Sequence, residues 1–164
     1  MFKVRISLPE MGGWIMQKIV FLVIFLAVAS GSARAETVAA TMTKWGLMGA
    51  WSVDCAAAAG KGTAAKLRYA AKPDGSVYHY RNFGDDSSSD KVKSARITPD
   101  DLLELKIFFK EIAVGEQDRT FALKRIQTGV VQAMYNYNAK GEYSVKDGKF
   151  TSNDKPTPLQ HRCD

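Results

Sequence analysis

The chain has 164 residues, 46% of them hydrophobic and 24% charged, and a formal net charge of +6. Once a leader is set aside, that length suits one domain with a real core, not two. The basic side chains are scattered rather than gathered into a stripe, so nucleic-acid binding is not expected.

The first 35 residues read as export machinery. Met16-Gln17-Lys18 precedes the apolar run Ile19 to Ala29, which is followed by Ser30-Gly31-Ser32 and Ala33-Arg34-Ala35. A cationic start, a short apolar stretch and an A-x-A ending make a secretory signal peptide, cut after Ala35. The apolar run of 11 residues falls short of the roughly 20 a membrane-spanning helix needs. With no Cys at the cut, no stable membrane anchor is expected. Pro9 and Gly12-Gly13 interrupt residues 1–15, so Met16 makes the cleaner start. The expected organisation is a leader over 1–35 and a single β-barrel domain over 36–164, in the periplasm or secreted. Four of the 23 basic and one of the 17 acidic side chains leave with the leader, so the mature part carries 19 and 16, a net of +3. That mild excess favours solubility and weak attraction to anionic surfaces.

After Glu36 the hydrophobic pattern is mostly period two. Thr37 to Leu47 is read as a short helix or a segment lying over one barrel mouth. Gly49-Ala50-Trp51 opens the first strand. Leu67, Tyr69 and Ala71 mark a second, and Val77 to Phe83, rich in β-formers, a third. Pro73-Asp74-Gly75 joins these two as a tight hairpin. Gly84 to Asp90 reads as a polar loop, and Thr98-Pro99-Asp100-Asp101 as a turn. Leu103, Leu105, Ile107 and Phe109 then alternate with Glu104, Lys106, Phe108 and Lys110, the clearest half-buried strand in the chain. Phe121 with Leu123, and Val131, Ala133, Tyr135 and Tyr137, continue the alternation. Short strands at such spacing, about eight of them, imply an all-β sandwich or barrel. Hairpin connections favour a single antiparallel up-and-down barrel, whose closure removes both exposed edges.

Cys55 and Cys163 stand near the two ends of the mature part. In an oxidising compartment one intramolecular disulfide is the default, and it places the first and last segments side by side. Candidate chemistry is sparse. His79 as a general base needs a partner that the neighbouring sequence does not offer, so a surface or rim position is expected; the same holds for His161. Asp85-Asp86-Ser87-Ser88-Ser89-Asp90 is rich in oxygen but lacks calcium-loop spacing. No metal signature, nucleophile elbow or phosphate-binding glycine loop is present. The expectation is therefore a protein that is not an enzyme and carries no metal or cofactor.

Gly49-Ala50-Trp51, followed by a meander of short strands, resembles the lipocalin and wider calycin group. The resemblance implies that Trp51 closes one barrel end and stacks on an Arg near the last strand, for which Arg162 is the candidate. The longer frame, Gly49-Ala50-Trp51-Ser52-Val53-Asp54-Cys55 with Arg162-Cys163, looks like a group of small exported proteobacterial proteins with no activity to carry over. The two contacts sit awkwardly together: in antiparallel register a Cys55–Cys163 bond sets Trp51 several residues from Arg162. A barrel of this size either fills with side chains or holds one small ligand. The binding-module reading puts a small apolar or amphipathic ligand among Trp51, Tyr78, Tyr80, Phe109, Tyr135 and Arg162. The alternative is an interaction module, such as an inhibitor of an exported protease or lysozyme, working through the loops Gly84–Asp90 and Gly115–Asp118.

Overall fold

Alternation of apolar and polar residues produces ten strands and one short helix in a computed structural model that describes residues 36–61, 65–110 and 117–163. The signal-peptide expectation falls on residues 1–35, outside the described residues. Helix α1 (Val38–Trp45) starts at the N-cap Thr37, whose hydroxyl accepts from the Ala40 amide, and stops at Gly46. Gly46 has φ 90°, the left-handed conformation that lets its own amide and that of Leu47 cap the last carbonyls. Among the described residues no helix is long and apolar enough to cross a membrane.

The strands are β1 (Gly49–Ser52), β2 (Lys66–Ala71), β3 (Val77–Asn82), β4 (Ser87–Ile97), β5 (Leu103–Phe109), β6 (Gln117–Gln127), β7 (Val130–Asn138), β8 (Tyr143–Lys146), β9 (Lys149–Phe150) and β10 (Leu159–Arg162). Strands β1 to β7 pair in sequence order, each antiparallel to the next. Strand β10 then lies between β7 and β1 and closes an eight-stranded barrel. The meander has one excursion: the β8–β9 hairpin continues the sheet beside the far half of β7, where β10 no longer reaches.

Two elements depart from the sequence reading. The stretch expected as the loop Gly84–Asp90 is mostly strand, because β4 begins at Ser87. A bulge between Val92 and Ser94 shifts its side chains by one position, which hides the alternation. Strand β6 begins at Gln117, inside the expected turn Gly115–Asp118, and its pairing with β7 is offset by a bulge at Met134 of β7 and by one of its own after Arg125.

The core is continuous from α1 through the barrel. Met42, Leu47, Leu103, Leu105, Ile107 and Val77 are fully buried, and Trp45, Trp51, Tyr69, Phe109, Phe121 and Leu123 pack with them. Helix α1 covers the barrel end that carries the β4–β5 turn. There Trp45 Nε1 donates to the Asp101 carbonyl (3.0 Å), and the Arg125 guanidinium lies 5.1 Å from the Trp45 ring.

The barrel closes over a very short first strand. Trp51 sits opposite Leu67 on one side and Arg162 on the other. Its indole donates to the Leu47 carbonyl at 2.8 Å, and the Arg162 guanidinium stands 5.9 Å from its ring. The disulfide Cys55–Cys163 forms as well, with Cα atoms 5.4 Å apart. Both contacts coexist because β1 ends at Ser52 and the chain turns back. Asp54 Oδ1 accepts from the amides of Ala56 and Ala57, while the Cys163 amide bonds the Ala50 carbonyl.

The disulfide spans 108 residues of sequence, and cross-linking a loop of that size stabilises by up to about 4–5 kcal/mol in the chain-entropy model. A Cys55→Ser, Cys163→Ser protein is expected to lose 2 to 5 kcal/mol, roughly, in denaturant unfolding. A loss below about 0.5 kcal/mol would mean that the bond does not constrain the unfolded chain.

Candidate functional site

Strand parity fixes which side chains enter the barrel. On β3 the inward set is Val77, His79 and Arg81; on β2 it is Leu67 and Tyr69. On β5 it is Leu103, Leu105, Ile107 and Phe109, each at most 5% exposed. The interior is apolar toward α1 and becomes polar toward the opposite end.

The middle layer is aromatic. The His79 ring stacks on Tyr69 at 4.7 Å with 10° between planes. Phe109 meets it edge-on at 6.1 Å, and Phe121 lies at the same distance. Among the described residues neither imidazole nitrogen has a hydrogen-bond partner, although His79 is only 5% exposed. A neutral imidazole carries one donor and one acceptor, and each left unpaired costs about 1–3 kcal/mol. Burial, with a smaller push from the Arg81 charge, lowers the His79 pKa to about 3. Burial likewise raises the Tyr69 hydroxyl. The ring is thus neutral, not the rim histidine the sequence suggested.

The next layer is charged. Arg81 Nη2 donates to Asp90 Oδ2 at 2.9 Å, and its guanidinium covers the face of Phe109 at 4.5 Å. The Ser88 hydroxyl and the Lys110 amide also donate to Asp90, at 3.3 and 3.2 Å. These donors satisfy the oxygens of a side chain that is only 1% exposed. Arg81 Nε is buried without a partner.

Beyond this layer an open groove of about 730 Å³ straddles the rim of β2, β3 and β4. By parity Lys66, Arg68, Tyr80, Asn82, Ser87 and Ser89 reach it from the outer face, and Leu67, Arg81, Ser88 and Asp90 from the inner. Lys110 borders it from the end of β5. Lys66 is held in place, because its Nζ donates to the carbonyls of Asp54 (2.6 Å) and Cys55 (3.0 Å) beside the disulfide. The rim is tight where the loop after β1 meets the β3–β4 turn. A Cβ at Gly60 would stand 2.4 Å from the Phe83 carbonyl oxygen, and the glycine has φ +79°.

The six residues expected to surround a cavity are not brought together. Trp51 and Phe109 are buried in the core. Tyr78, Tyr80 and Tyr135 point outward instead. Tyr78 lies under the Lys72 ammonium (3.8 Å), and Tyr80 faces the groove. The Tyr135 hydroxyl donates to Glu104 on the outer wall, where Tyr137 and Tyr143 continue the row of rings. Hydrogen bonds from Arg96, then Tyr135, hold the Glu104 carboxyl below its ordinary range. Arg162 sits at the α1 end on Trp51, away from the groove. Of the six tyrosines only Tyr69 is internal, because bulky inward positions are filled by Phe, Trp and the His79 ring. Sequence reasoning missed Arg81, Lys66, Arg68 and Lys110, and read Ser88 and Asp90 as part of a loop rather than of β4. The signal that finds them is register: with β4 starting at Ser87, His79 falls opposite Asp90 and Arg81 opposite Ser88.

Comparison with protein-family models, curated proteins and solved structures found no match. The functional reading therefore rests on the geometry of this chain.

The neutral buried imidazole has a pH consequence. An unfolded His takes a proton near pH 6.5, while folded His79 resists protonation down to about 3. Below pH 6.5 the unfolded state binds more protons, so stability falls as pH drops, by up to about 1.4 kcal/mol per pH unit. Asp74 and Glu104, whose carboxyls are held low, add their losses only in the acidic carboxylate range. Between pH 6.5 and 5 the slope is therefore expected to vanish in His79→Phe, which also removes the orphan nitrogens and keeps stability at pH 7. Unfolding midpoints of the two proteins across this window check it. An unchanged slope, or a loss above about 2 kcal/mol at pH 7, would show that the nitrogens are engaged.

Proposed function

We propose that this protein is an exported, non-catalytic binding module that takes a small molecule at the barrel end away from α1. The observation that carries the reading is the asymmetry of the two ends. Two tryptophans and the helix close one end. At the other, the polar interior layer of Arg81 and Asp90 meets an open groove of about 730 Å³, a volume within the range of small-molecule sites.

Export supports the reading and fits the disulfide, which persists in an oxidising compartment. It also fits the leader-like start of the chain. The groove wall is rigid: it belongs to paired strands, and one of its lysines is fixed by two carbonyls near the disulfide. A preformed site binds with little ordering cost. Among the described residues Asp90 is engaged by Arg81 and His79 has no hydrogen-bond partner, an arrangement that favours binding over turnover.

Native mass spectrometry of the protein recovered from the exported compartment tests the reading. A bound small molecule is expected, and Ser88→Trp, which fills the groove, is expected to cut its occupancy at least tenfold. Arg125→Ala, at the α1 end, is expected to leave it unchanged. Equal occupancy in Ser88→Trp and the parent would move the binding site elsewhere.

A further inference from the structure

We infer that the rim groove selects a small hydroxyl-rich anion, of the kind a sugar acid or a sugar phosphate presents. This rests on the binding-module reading and names the ligand class for the same groove.

The first ground is charge. Among the described residues Lys66, Arg68, Arg81 and Lys110 line the groove, and the one carboxylate in that lining, Asp90, is already bonded to Arg81. Among the described residues the Arg68 guanidinium and the Lys110 ammonium have no ion-pair or hydrogen-bond partner. Asp85 and Asp86 lie on the adjoining β3–β4 turn, outside the lining. Arg68 and Lys110, unpaired among the described residues and close to Lys66, create a positive potential that favours an anionic guest. The second ground is the fixed guanidinium. Arg81 lines the groove, and its guanidinium is held by Asp90 and the face of Phe109. A pre-positioned Arg suits a carboxylate or phosphate oxygen. The third ground is the polarity of the wall. Ser87 and Ser89 on β4 stand opposite Asn82 and Tyr80, and Ser88 between them stands opposite Arg81 on the inner face. Hydroxyl and amide groups of this kind pair with ligand hydroxyls and offer little to an alkyl chain. The purely apolar guest expected from the sequence fits this groove poorly.

The test is a titration of the isotope-labelled exported protein at low ionic strength, followed by backbone amide signals. The probes are galacturonate, glucose 6-phosphate, galactose, glucose and dodecanoate. Galacturonate or glucose 6-phosphate, or both, are expected to displace the amides of Arg81 and Ser87–Asp90 and to bind at least tenfold tighter than the neutral sugars. The stronger of the two anions identifies carboxylate or phosphate as the preferred group. Arg68→Gln with Lys110→Gln is expected to weaken that binding at least tenfold with an unchanged unfolding midpoint. Neutral sugars binding as well as the anions, or an unaffected double variant, would overturn the inference. Dodecanoate acting at the groove while neither sugar anion does would overturn it and leave the binding-module reading standing. No displacement of any groove amide by any probe would overturn the inference, and equal occupancy of Ser88→Trp and the parent in the native mass spectra would bring down the binding-module reading as well.

Discussion

The seam between β1 and β10 is the constraint on which the rest of the barrel depends. A strand of four residues must hold the sheet closed, with Trp51 paired to Leu67 on one side and to Arg162 on the other. So short a ladder supplies few hydrogen bonds, and side chains make up the difference. The Trp51 indole is tied to the Leu47 carbonyl, the Arg162 guanidinium lies by its ring, and Cys163 bonds both to Cys55 and, through its amide, to Ala50. Without this seam β1 and β7 would each present an open edge, a template for pairing with other chains. The seam also explains the position of α1, since Leu47 and Gly46 connect the helix directly to the first strand and its tryptophan.

Closure fixes the interior, and the interior is graded. Near α1 it is dry, with Met42, Leu47, Leu103 and Leu105 wholly buried. Farther along, the aromatic layer admits one polar ring, His79, stacked on Tyr69. Next comes the Arg81–Asp90 pair, and then the groove. Each step accepts more polar groups because each lies closer to water. A buried ion pair contributes little net stability compared with a hydrophobic replacement. Its presence here is better understood through what it positions, namely the Arg81 guanidinium at the groove.

The barrel itself was legible in the sequence. The alternation from Leu103 to Phe109 is strict, and the structure buries that face of β5. The pairing of Cys55 with Cys163 followed from compartment and number. Strand β4 was not legible, because its bulge after Val92 breaks the period and its first residues are serines. The inside of the barrel was harder still. On β3 the pattern Val77-Tyr78-His79-Tyr80-Arg81 offers two tyrosines or a histidine and an arginine to the core. Size and hydrophobicity favour the tyrosines, yet the core takes the polar pair. Tyr69 and Asp90, on neighbouring strands, supply the stacking surface and the counter-charge that make this arrangement stable. Those partners are distant or hidden in sequence, so the candidate site could be assembled only from register.

In the proposed function a ligand meets this barrel at the rim of β2–β4, not at the end covered by α1. Amide shift mapping with the small-molecule fraction of the compartment proposed for the protein tests that claim most directly. The account predicts displaced signals grouped at Leu67, Tyr80 to Asn82 and Ser87 to Asp90. Displacements grouped instead around Trp45, Trp51 and Arg162, or none across the barrel, would contradict it.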